Sequence, residues 1–107
     1  MKKLILVLTI FLLLASSNLS ENQKFLLFLE TEWKYELSQN PVYATAMGVK
    51  GYETKWKDNS LKGIEQRKTH NQNTLKKVNR FDPSKLSKTN NLNLRLFIQL
   101  LENKIKI

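Results

Sequence analysis

The chain has one histidine, His70, and no cysteine, so the groups able to hold a transition metal or act as a base near neutral pH reduce to His70 and nine carboxylates. A peptidase-type zinc site needs two histidines one helical turn apart and a glutamate to activate water. A single histidine cannot supply it. His70 stands among Thr69, Asn71 and Gln72 and reads as an exposed helical residue. Glu32 and Glu36 lie one turn apart, close enough on a helix to share a proton or an ion, with Glu30 beside them. Carboxylates at work need burial or further ligands, and these read as solvated, with Glu30 and Lys34 forming an ordinary i,i+4 pair. Ser60 and Ser87 fall at helix starts, and no serine sits in a G-x-S-x-G elbow. Gly48, Gly51 and Gly63 are too dispersed for a phosphate-cradling loop. Trp33, Tyr35, Tyr43, Tyr52 and Trp56 interleave with Lys34, Lys50, Lys55 and Lys57, a mixture suited to stacking sugars or single-stranded bases. Trp33 shares a stripe with Phe25 and Leu29, however, so packing of the first helix against the following loop is the favoured reading. No catalytic, cofactor-binding or metal-binding residue is assigned, and no cofactor is expected in this chain.

The elements that would position these residues begin with an export signal. Lys2 and Lys3 precede an apolar run from Leu4 to Ala15, and Ala15 and Ser17 occupy the small-residue positions of a cleavage site. Residues 1–17 therefore read as a signal peptide cut after Ser17, leaving 18–107 as the mature chain. The run is shorter than the ~20 apolar residues a spanning helix needs, so no permanent membrane anchor is expected. The absence of cysteine excludes lipidation and disulfides, and the expected location is periplasmic or secreted. Loss of Lys2 and Lys3 lowers the net charge of +9 by two. The mature chain stays basic, which favours anionic partners in general. Its lysine, asparagine and isoleucine content also matches what an AT-rich coding sequence produces by default. The densest basic group, Lys76, Lys77 and Arg80, is too sparse to favour nucleic acid.

The mature length allows one small domain or part of one, and its periodicity is helical. Ser20 and Gln23 have the form of a capping box. Phe25, Leu29, Trp33 and Leu37 recur every four residues after it, widened by Leu26 and Phe28. Pro41 ends this helix and opens a short second one, with Asn40 as its N-cap and Gly48 as its C-cap. Residues 49–59 read as an ordered loop. Ser60 caps a longer helix with apolar positions Leu61, Ile64, Leu75, Val78 and Phe81, a polar middle around Arg67, Lys68, His70 and Asn71, and burial expected at both ends. Asp82 and Pro83 terminate it, Leu86 packs back, and Ser87 or Thr89 caps a last helix with Leu94, Phe97, Ile98, Leu101 and Ile105 along one side. Leu92, Leu96 and Leu100 make that helix apolar on nearly every face, a pattern that belongs inside a larger structure. The fold class is all-α, with three to four helices. The last helix carries no stop signal before Ile107, so a truncated N-terminal piece of a larger helical protein is expected.

The order of landmarks resembles the N-terminus of the bacterial family catalogued as domain of unknown function 885. They are Pro41, Ala44, Thr45, Gly48, Tyr52, Asp58 and Ser60, followed by Asp82, Leu86 and Ser87. The resemblance covers nearly the whole mature chain and rests on order and spacing together. It implies an exported, mostly helical protein similar to zinc metallopeptidases, whose His-Glu metal helix lies far downstream of this region. Zinc is thus implied for full-length relatives and not for this chain, which would be inactive by itself. A missing C-terminal portion would then cover Phe97, Leu100 and Leu101. Two other readings remain: a small basic secreted module binding anionic envelope polymers, lipid or nucleic acid, and an interaction subunit docking through its last helix.

Overall fold

Ser20 opens the first helix as its sequence requires: its hydroxyl accepts from the Gln23 amide at 3.2 Å, and the Gln23 side chain accepts from the Ser20 amide at 2.9 Å. The computed structural model describes residues 18–106, and the expected signal peptide lies outside them. Among the described residues the chain is all-α without strands. It comprises α1 (Glu21–Gln39), α2 (Pro41–Ala46), α3 (Leu61–Val78) and α4 (Lys88–Lys106), with a 3₁₀ turn at Pro83–Lys85. No helix among the described residues is long and apolar enough to cross a membrane.

The joints follow local chemistry. Pro41 stops α1 and starts α2. Asn40 departs from its expected capping role: its amide donates back to the Glu36 carbonyl at 3.2 Å and carboxylate at 2.9 Å, so no side chain caps α2. Gly48 closes α2 at φ 80°, with Gly48 N–H donating to Thr45 and Val49 N–H donating to Ala44, the paired bonds of a Schellman motif. Ser60 caps α3 through the Gly63 amide at 3.1 Å. Of the two candidates for α4, Ser87 is the cap, accepting from the Asn90 amide at 3.1 Å.

Phe25, Val78, Leu94 and Leu101 form the core, with Phe28, Leu29, Leu75, Phe81, Leu86, Phe97 and Ile98 packed against it. Phe81 meets Phe25 and Phe28 edge-on at 5.4 and 5.5 Å between centroids, and Phe97 meets Phe28 edge-on at 5.4 Å. Such geometry sets positive ring edges against negative faces and adds about 0.5–1.5 kcal/mol per pair beyond area burial. Two polar side chains of the first turn of α1 tie down the α3–α4 connection: Glu21 accepts from the Asp82 amide, and Asn22 accepts from the Ser87 amide and the Asn90 side chain, all at 2.9 Å.

Three expectations about apolar residues are corrected. Trp33 is 42% exposed, although Phe25 and Leu37 of the same four-residue repeat are buried, because it lines the open groove beside α2 and α4 and not the core. The side of α1 turned to α3 and α4 runs through Phe25, Phe28, Leu29, Glu32, Tyr35 and Glu36, and Leu37 is buried as expected on an adjacent side. The first turns of α3 are not buried, with Leu61 and Ile64 both exposed, whereas its last turns are. Trp56 does not pack on α1; at 85% exposure it projects from the loop into solvent.

Candidate functional site

The inward stripe of α1 changes from apolar to polar as it passes Leu29, and the facing stripe of α3 does the same. Glu32, Tyr35 and Glu36 stand at i, i+3 and i+4 on α1, opposite Arg67, His70, Asn71 and Thr74 on α3, a spacing that places each set on one face. Glu32 Oε2 lies 2.9 Å from His70 Nε2. Its other oxygen accepts from the hydroxyl of Thr74 at 3.4 Å, and Thr74 is itself buried. The Tyr35 ring stacks on the imidazole with centroids 3.4 Å apart and planes 13° from parallel. Burial raises the Tyr35 phenol above its ordinary range, Arg67 opposes that shift, and Glu32 and Glu36 reinforce it.

His70 and Glu32 are therefore not the exposed, solvated residues expected from their neighbours in sequence; their side chains retain only 27% and 13% exposure. The reason is registry. One side of the expected polar middle of α3 turns from water, because Glu32 of α1 meets His70 and Thr74 there, while Lys68 stays exposed. Glu30 and Lys34 do form the expected surface pair, at 3.4 Å. Glu36 works separately, taking the Asn40 amide at 2.9 Å and Lys104 of α4 at 3.4 Å.

A carboxylate that orients an imidazole is the base and orienter half of a hydrolytic triad. Here the hydroxyl beside the pair, that of Thr74, is spent on the carboxylate, and a tyrosine ring covers a face of the imidazole. This is the arrangement of a joint between helices, in which each buried polar group finds a partner. Among the described residues, no three or more histidine, aspartate or glutamate side chains gather as metal ligands would. Ser60 and Ser87 are occupied as caps.

Beside the seam, α1, α2, α3 and α4 enclose an open groove of about 630 Å³. Its walls include Leu29 and Trp33 of α1, Tyr43 of α2, Asn71 of α3, and Phe97 and Leu100 of α4, with Glu36 and Lys104 at its edge. Of the three residues expected to be covered by further chain, Leu101 is already buried by the chain itself and Phe97 is partly buried against the core, while Leu100 stays half exposed. Leu92 and Leu96 of α4 are likewise half exposed.

The Glu32–His70 contact joins residues 38 apart and has no local motif. The one sequence signal for it was that the polar positions on α1 and α3 continue, in phase, the periodicity of the apolar positions next to them. The chain matches no family model, no curated protein and no solved structure.

Proposed function

We propose that this chain is a helical docking part, exported and packed through the α1–α4 groove against further helices, in a protein whose chemistry lies outside these residues. The groove carries this reading: Trp33 and Leu100 leave large apolar surfaces half in water around a concavity sized for side chains of a partner helix. In the family reading, the partner helices are the downstream portion of a metallopeptidase-like protein resembling the domain of unknown function 885 family. Support for that reading is that Pro41, Gly48, Asp58, Ser60, Asp82 and Ser87 all sit at helix boundaries, where their order sets the succession of elements.

The test has two parts. Reading the encoding locus past Ile107 should reveal further helical sequence and a His-Glu metal helix; unrelated sequence in every frame removes the family reading. Adding that downstream polypeptide to a Trp56→Phe chain should shift the emission of Trp33 to the blue, and an unchanged emission defeats groove docking. The competing reading, a small basic secreted module for anionic polymers, draws on the loop lysines, which no ion pair engages among the described residues, and predicts binding that weakens steeply with salt.

A further inference from the structure

The loop between α2 and α3 presents apolar and basic groups together. Trp56 is 85% exposed and lies between Lys55 and Lys57, and Leu61, at the first position of α3, is 83% exposed and precedes Lys62. Isolated exposed apolar residues are ordinary. Three further observations set this pair apart.

The loop is pinned. Asp58 sits on the start of α3, where its carboxylate accepts from the Ser60 amide at 2.9 Å and its carbonyl accepts from Arg67 at 2.7 Å. Its atoms crowd Gly63 so closely that a Cβ there would stand 2.6 Å from Asp58 Cγ. Trp56 and Leu61 thus emerge two and three residues from a fixed point, at one end of the molecule.

The loop's acids are engaged within it. Glu53 accepts from the Gly51 amide at 2.9 Å, as Asp58 does from Ser60. Among the described residues, no ion pair engages Lys50, Lys55, Lys57 or Lys62. Lys55 lies over the Tyr52 ring, 5.5 Å from its centroid, which keeps an aromatic and a cation together.

The apolar tips differ in kind. An indole prefers the boundary between headgroups and acyl chains, and a leucine gains only from a hydrocarbon environment. A nucleic-acid strand would use stacking rings along a basic groove and offers nothing to Leu61.

We propose that this end of the molecule docks on an anionic lipid surface, with Trp56 and Leu61 entering the headgroup boundary and Lys50, Lys55, Lys57 and Lys62 meeting the lipid phosphates. The inference is independent of the groove and of the family reading. Each lysine near such a surface strengthens partition by about fivefold.

The test uses the full chain carrying Trp33→Phe, so that Trp56 is the only indole and reports its own environment wherever the rest of the chain binds. Phosphatidylcholine–phosphatidylglycerol vesicles should shift Trp56 emission to the blue and allow quenching by lipids brominated near the headgroup. Pure phosphatidylcholine should do neither, and the double charge reversal Lys55→Glu/Lys57→Glu should weaken the response by at least about twentyfold. Should Trp33→Phe disturb folding, as read by circular dichroism, Trp56→Phe in the native background serves instead, and the vesicle-induced shift should vanish. The proposal is overturned if Trp56 emission stays fixed while the chain sediments with vesicles, if neutral vesicles act equally, or if only a single-stranded oligonucleotide changes the emission.

Discussion

The α1–α3 pair is held differently at its two ends. Near the start of α1, Phe25 and Phe28 meet Phe81 edge-on and pack together with Val78. Toward its other end the same helices meet through Glu32, His70, Thr74 and the stacked Tyr35. The apolar end stabilises by removing area from water, without directional demands. The polar end contributes less net energy, but it penalises any other register, because a slipped helix leaves a buried carboxylate and hydroxyl unpaired. Affinity and registry are thus divided along one helix pair.

Substitutions can separate the two contributions. The largest effect belongs to Phe25→Ala, which empties a fully buried ring site and should cost about 3–5 kcal/mol in urea unfolding; a cost equal to that of a surface change would break the contrast. Glu32→Ala leaves the buried Thr74 hydroxyl and the His70 ring without their acceptor and should cost about 1–3 kcal/mol. A value matching that of Phe25→Ala would mean that the polar end, not the rings, holds the helices together.

Alkali should act on one end alone. The folded state raises the Tyr35 phenol by burial, so its protonated form is favoured on folding. That stability is complete below the unfolded value of about 10 and is lost as pH rises from there through the folded value. Urea midpoints recorded against pH should fall in this window, and Tyr35→Phe should flatten the fall. Acid should act at the start of α3. Hydrogen bonding from Ser60 holds Asp58 below the usual carboxylate range, so its contribution is present above about pH 4 and disappears as pH falls through the depressed value. Asp58→Asn should reduce that acid sensitivity, seen as protection of the α3 N-terminal amides in hydrogen exchange. The smallest effect is expected from Lys34→Ala, which breaks an exposed pair and should change stability by less than about 0.5 kcal/mol.

The same contrast explains what was legible in the sequence. Caps, the proline break and the glycine stop are local: Ser20, Pro41, Gly48, Ser60 and Ser87 act within a few residues of themselves, and each took its expected role. Asn40 did not, since Glu36 one turn back offered its amide two acceptors. Apolar periodicity located the core at Phe25, Val78, Leu94 and Leu101 but misplaced Trp33, because a repeat marks the apolar side of a helix and not the stretch of it that the other helices leave as a groove. The Glu32–His70 joint was hidden for a different reason. A polar residue reads as solvated unless its partner is known, and here the partner lies on another helix. The packing expected of Trp56 follows from the stripe that Trp33 shares with Phe25 and Leu29, which says nothing about the loop itself, and the pinning of that loop at Asp58 depends on a close approach that spacing does not encode.

The account turns on the Glu32–His70 pair being a structural joint, which leaves the surfaces beside it as the working parts of the chain. A double-mutant cycle of Glu32→Ala and His70→Ala, followed by urea unfolding at neutral pH, measures this directly. A joint predicts that each single change destabilises and that the two are coupled by about 1 kcal/mol or more. Additive changes, or a rise in stability on replacing either residue, as happens where a site is strained for chemistry, would contradict it.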